Sequence, residues 1–289
     1  MRSLEKLAEL AKELPAPLKD NAEALVVRMG QTIEGFGDKP IEWKPETLKV
    51  VQGTSDRSKL PKGAAVGAIV VGEDIIQAPF EVIPLRLFTT RQMWDSDPNV
   101  AQMICSSPDA LVGYRFGDCR VCPNAKYDDE AKKSSCNKTI TVLNISADLS
   151  RIFYINFSKT AYANGLAWQS SMRKTGFAPY RKKYALSTQT SPKSKNVELL
   201  SAEPIVDGKI NTGPILSFLE ELFEISGEDR KIALSKFYEL VELRKKNTEA
   251  ITGPDNHTLT LLPSPDEIEV EEVSEEPTEA PVEKKKYNV

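Results

Sequence analysis

Apolar positions along the chain follow a helical period first, then a strand-like alternation, then a helical period again before they thin out. Over residues 3–14, Leu4, Leu7, Ala11 and Leu14 share one face, and Pro15 with Pro17 ends the pattern. A second helix, about 19–29, holds Ala22, Leu25, Val26 and Met29. Helices this short do not persist alone in water, so residues 1–30 are expected to dock on the rest of the protein or on a partner. Residues 31–63 are irregular and rich in Gly and Pro, which predicts a linker or lid.

Strand signals begin at Ala64. Val66 and Ala68–Val71 form an apolar run that stops at Gly72. Phe80–Phe88 (FEVIPLRLF) follows, with Pro84 marking an edge or a bulge. Ala110–Phe116, Lys138–Ile145, Arg151–Phe157 and Val197–Pro204 are further strands, and Ser146–Ser150 reads as a turn. Alternation places Phe153 and Ile155 on one face and Tyr154 and Asn156 on the other. The interval 160–174 (TAYANGLAWQSSMRK) reads as a helix, with Trp168 expected in the core. Five or six short strands with one inserted helix predict a mainly β domain with flanking helices over 64–206, an α+β fold built on a small barrel or sandwich. Beyond it, Pro214 opens a helix with Leu216, Leu219, Leu222 and Phe223, and Gly227 is read as its end. A second stripe over 229–246 buries Ile232, Leu234, Phe237, Leu240 and Val241, so a helical hairpin is expected over 207–250. From about Thr252 the composition turns to Pro, Glu and Thr, and 251–289 is expected to be a disordered acidic tail.

Charge sharpens this division. The formal charge of the whole chain is −4, which conceals two opposed blocks. Residues 110–196 carry fifteen Lys or Arg against five Asp or Glu, while 266–283 carry nine acids and no base. A basic folded segment suits a polyanion, and an acidic tail suits competition for that surface or recruitment of other proteins. No run of eighteen apolar residues occurs and the N-terminus lacks a signal-peptide core, so no membrane role and a cytoplasmic location are expected.

Four cysteines lie in one insert, 105–136: Cys105, Cys119, Cys122 and Cys136, spaced C-x13-C-x2-C-x13-C. Two residues between Cys119 and Cys122 let one turn present both sulfurs to one ion, flanked by Gly117 and Pro123. Four-thiolate zinc is the leading reading, and its role is structural because four protein ligands leave no open position. An iron–sulfur cluster uses the same ligands, a redox pair lacks the alternating strands and helices around it, and Cys105 could be an ordinary buried thiol.

Cations and rings alternate around these cysteines, as in Tyr114-Arg115-Phe116, Lys126-Tyr127 and Tyr180–Tyr184. Single-stranded nucleic acid wants this mixture, cations for phosphates and rings for unpaired bases. The expected phosphate contacts are Arg115, Lys126, Arg173, Lys174, Arg181, Lys182 and Lys183. The expected stacking rings are Tyr114, Tyr127, Tyr154 and Tyr184, and Trp94 suits either a platform or the core. Enzymatic chemistry has little to build on: the lone histidine is His257, and no phosphate-cradling glycine motif occurs. Asp95, Asp97, Asp128 and Asp129 are the acids a Mg²⁺-dependent nuclease would use.

The FEVIPLRLF strand followed by RQMW, the C…CxxC…C insert and RIFYINFSKTAYANG resemble segments of the single-stranded DNA-binding proteins of tailed bacteriophages. The resemblance covers roughly 64–206 and the tail. It implies an oligonucleotide-binding barrel (OB fold) with a zinc insert, a non-enzymatic role coating single strands in replication, recombination and repair, and host cytoplasm as its location. It also implies that Asp266–Glu283 contacts replication proteins and screens the groove, although the chain ends in Lys284-Lys285-Lys286-Tyr287-Asn288-Val289 where such tails often end in acids. Two other classes compete with this reading: a zinc-bearing adaptor for a polymerase or other replication protein, and a metal-dependent nuclease.

Overall fold

The computed structural model describes residues 4–30, 32–33, 41–42, 44–94, 103–126, 134–191, 194–210 and 213–251. Helices α1 (Leu4–Lys12) and α2 (Leu18–Gly30) form as the periodicity predicts. A two-residue ladder, β1 (Thr32–Ile33) with β2 (Ile41–Glu42), follows them. Then come β3 (Glu46–Val50), β4 (Ile69–Val71), β5 (Asp74–Ile76), β6 (Phe80–Trp94) and β7 (Met103–Ser107). The short strands β8 (Val112–Gly113) and β9 (Gly117–Asp118) form a small hairpin of their own. Strands β10 (Cys136–Ser146) and β11 (Ile152–Ser158), helix α3 (Tyr162–Lys174), strands β12 (Lys182–Ser191) and β13 (Ser194–Lys209), and helix α4 (Pro214–Ile251) complete the order.

The main sheet runs β13-β12-β6-β10-β11-β3-β4-β5, with β7 added beside β6. All its pairings are antiparallel except β11 with β3. The sheet curls until its distant parts meet. Gln52, just past β3, donates from Nε2 to the Glu198 carbonyl and accepts from the Glu198 N–H, both at 2.8 Å. Thr188 Oγ1 on β12 donates to the Gly67 carbonyl at 2.8 Å. Amide side chain and hydroxyl thus supply contacts that backbone ladders do not make there.

Alternation along each strand sorts the side chains into two cores. Inside the curl pack Leu48, Ile69, Val82, Ile140, Val142, Phe153, Ile155, Phe157 and Leu200, with Trp168 and Met172 of α3 filling the space. Gly165 lets α3 approach β11, because a Cβ there would stand 2.7 Å from Phe157 Cβ. Outside the curl, Ile83, Leu85, Leu143, Ile145 and Ile152 are covered by Leu7, Ala11, Leu25 and Val26 of the first two helices and by Phe218, Leu219 and Leu222 of α4. The fold is therefore mixed α+β, mostly sheet, with a barrel-like curled sheet, α3 inside the curl and α1, α2 and α4 outside it.

Several expectations change. Residues 31–63 are not all linker, since β3 lies inside the main sheet between β11 and β4. The strand expected over Ala110–Phe116 is reduced to the two residues of β8. Pro84 does mark a bulge: the register shifts where Leu143 faces Arg86 and Asn144 faces Pro84. The helical hairpin over 207–250 is a single 38-residue helix, α4. Gly227 does not end it. Arg86 crosses the helix there, with Nε and Nη2 donating to the Phe223 carbonyl at 3.1 and 2.5 Å and its guanidinium 3.8 Å from the Phe223 ring centre. A Cβ at Gly227 would stand 2.6 Å from Arg86 Cζ, so the glycine admits a side chain from the sheet. Beyond that point Ile232 and Leu240 are exposed and not buried, while Val241 is enclosed. The acidic tail lies outside the described residues.

Candidate metal centre and nucleic-acid interface

The thiols are gathered by strand pairing. Cys105 on β7 and Cys136 on β10 both register with Met93, one on each side of β6. The β8–β9 hairpin returns the chain so that Cys119 follows β9 directly, its N–H donating to the Leu111 carbonyl at 2.7 Å. Cys122 begins a one-turn 3-10 helix, Pro123–Ala125. Gly113 sits between two of the sulfurs: a Cβ there would stand 3.0 Å from Cys105 Sγ and 3.5 Å from Cys119 Sγ. The Arg115 N–H donates to Cys105 Sγ at 3.4 Å.

All four cysteines are free thiols and buried, none more than 7% exposed. Burial pushes the Cys119 thiol up to about 11; Ser107 and Arg91 oppose the shift, and Cys136 and Cys105 add to it. Cys136 is pushed up by burial too, opposed by Arg91 and reinforced by Cys105 and Cys122. These couplings link all four sulfurs in one neighbourhood. They do not form a closed ligand shell: among the described residues no group of three or more His, Cys, Asp or Glu stands in metal-holding geometry. The donor set still fits a thiophilic cation. Ionising several neighbouring buried thiols is costly unless a positive charge lies between them.

Helix α4 fastens this cysteine element to the barrel. Arg230 packs over Phe88 at 3.8 Å and donates to the Pro108 carbonyl at 2.9 Å. The Tyr238 hydroxyl donates to Asp109 Oδ2, and burial together with that carboxylate pushes its pKa up. Arg244 donates to the Tyr114 carbonyl at 3.1 Å and lies 4.9 Å from the Tyr114 ring centre.

The expected site residues separate into several groups. Arg115 and Lys126 lie exposed on the cysteine element. Tyr114 is partly held by Phe237 and Arg244 of α4. Tyr154 lies outside the curl as alternation predicts, yet it is half-buried under α4 and meets Phe88 edge-on. Tyr184 is 1% exposed, packed on Trp168 inside the curl, so stacking on Tyr184 is excluded. Its alternation within β12 was hidden by the basic run before it. Tyr127 lies outside the described residues, as do Asp95, Asp97, Asp128 and Asp129.

The basic clusters do not form one face with the cysteine element. Tyr184 registers with Val82 and Cys136 with Met93, so they sit roughly 35 Å apart along β6 at 3.3 Å per residue. Lys174, Arg181 and Lys182 line a cleft at that remote part of the barrel, whereas Arg173 and Lys183 do not line it. Trp94, which sequence left between platform and core, is 49% exposed, and Phe116 at 42% and Phe177 at 47% are exposed rings outside the expected stacking set. Phe116 was legible in the Tyr114-Arg115-Phe116 triplet, and Phe177 follows Gly176, a turn residue at φ +66 that ends the helical pattern.

No protein-family model matches the chain, and no curated protein or solved structure matches it. No helix among the described residues is long and apolar enough to cross a membrane.

Proposed function

We propose that this chain binds and coats single-stranded DNA without acting on it chemically, as the resemblance to tailed-phage proteins implies. The observation that carries the reading is the surface of the cysteine element, where Phe116 stands exposed with the Arg115 guanidinium 5.7 Å from its ring centre, and where Trp94 and Lys126 are exposed as well. Rings left in water on an element that also carries exposed cations suit unpaired bases and their phosphates.

Topology supports the same reading. Strands β6, β10 and β11 form an antiparallel meander, α3 follows, and β12 returns to β6 before β13. This order supports reading the sheet as an oligonucleotide-binding barrel, with β3 added beside β11. In such barrels the loop between the first two strands and the loop between the last two flank the binding face. The cysteine element occupies the first of these positions. A metal held by Cys105, Cys119, Cys122 and Cys136 would brace that loop and supply no reactive position; zinc is preferred, with an iron–sulfur cluster as the alternative. The acidic stretch Asp266–Glu283 would compete with DNA for the basic surface and contact replication proteins.

Fluorescence titration with single-stranded and duplex oligonucleotides at two salt concentrations tests the function. Preferential single-strand binding is expected, with about 0.7 counterions released per phosphate neutralised. Affinity insensitive to salt, or equal for duplex, would overturn it. For the metal, elemental analysis should find about one zinc per chain, and Cys119→Ser should lower the melting temperature of the zinc-loaded protein. Protein purified without any bound metal, and indifferent to Cys119→Ser, removes the metal proposal and leaves the DNA reading intact.

A further inference from the structure

Away from the thiols, the last turn of α3, the turn after it and the paired ends of β12 and β13 enclose an open cleft of about 620 Å³. Lys174, Arg181, Lys182 and Lys209 line it, and among the described residues no carboxylate does. Arg181 reaches Glu220 of α4 at 3.1 Å, which leaves three of the four cations facing the cleft with no acid among its described lining residues. Phe177 stands at the same cleft 47% exposed, with Lys209 Nζ 5.2 Å from its ring centre. Ser171 also lines it.

Like charges held around one cleft repel, and an anion placed between them relieves the repulsion. A simple anion accounts for the cations and leaves the ring unexplained. A purely apolar ligand accounts for the ring and leaves the cations unexplained. A phosphate ester joined to a flat aromatic group satisfies both, and the volume lies in the ordinary range for a small-molecule site.

We propose that this cleft is a nucleotide subsite, with the phosphate held by Lys174, Lys182 and Lys209 and the base stacked on Phe177. The preferred source is one nucleotide of a bound DNA strand, and in that respect the inference rests on the single-stranded DNA reading; a free nucleotide presents the same chemistry. Because Lys182 lies two residues before the Tyr184–Val82 pairing, the cleft is roughly 30 Å along β6 from the Met93 position of the cysteine element, and a strand must be long to occupy both. Short strands would engage only one.

The test uses the full chain, with Phe177→Ala and Lys209→Gln, both at exposed positions outside the cysteine element. Anisotropy titrations with (dT)6 and (dT)20 are paired with saturation-transfer NMR on dTMP. Phe177→Ala should weaken (dT)20 binding about fivefold or more, and weaken (dT)6 binding less. Lys209→Gln should lower the salt slope for (dT)20 by about 0.7. A dTMP signal lost in Phe177→Ala with (dT)20 binding unchanged would assign the subsite to free nucleotide. Wild-type affinity and slope in both variants, with no Phe177-dependent dTMP signal, would overturn the subsite while the DNA reading stands. Failure of the wild-type chain to bind any oligonucleotide would overturn the DNA reading, and the dTMP arm would then decide the cleft by itself.

Discussion

Trp94 and Phe116 differ from Tyr154 in what each ring touches. The first two are about half exposed, whereas Tyr154 is packed between Phe88 and the helical layer. Removing an exposed ring costs little folding energy and removes a stacking platform. Trp94→Ala and Phe116→Ala should therefore each weaken single-strand binding by about 1–3 kcal/mol, read by anisotropy, with melting temperatures near that of the wild type. Tyr154→Ala should do the reverse. It should lower stability by roughly 2–4 kcal/mol in denaturant melts and leave the affinity of the folded protein almost unchanged. If Tyr154→Ala abolishes binding without loss of stability, the interface lies over β10 and β11 and not on the cysteine element. Sequence could sort Phe153 from Tyr154 because alternation is strict on a strand. It could not say that a helix more than sixty residues later would cover the Tyr154 side.

At the scale of elements, α4 is where local pattern and structure diverge most. Gly227 in a helical stripe has the signature of a terminator, and only the position of Arg86 on β6 explains why the helix continues. Gly227→Ala should improve intrinsic helix propensity by about 1 kcal/mol. It should nonetheless destabilise the protein by about 1–3 kcal/mol, because the new methyl displaces a guanidinium bonded to Phe223 and Ser226. A chemical-denaturation midpoint above the wild-type value would refute the packing account. The cysteine element shows the opposite balance. Its CxxC spacing was legible in sequence, but the placement of Cys105 and Cys136 on either side of Met93 depends on β7 and β10 pairing with the same strand.

Across the whole molecule, the basic segment divides between two places, the cysteine element and the cleft beside α3. A tail with nine acids and no base over 266–283 could reach either by charge. Deleting residues 264–289 should tighten single-strand binding at low salt by about threefold to tenfold, and the gain should vanish near 1 M salt as charges are screened. Equal affinity of the two forms at low salt would remove the competition between tail and DNA. Sequence by itself determined the local features: two N-terminal helices, the strands β4, β6, β10, β11 and β13, the Pro84 bulge, the clustered thiols and the separation of basic from acidic charge. Each depends on neighbours within a few residues, through period, turn chemistry or composition. Only the tertiary structure decided that β3 joins the sheet, that α4 is continuous, that Tyr184 is enclosed and that Phe177 meets Lys209. Those outcomes depend on contacts between residues far apart in the chain, where burial and close approach outweigh the preference of any short segment.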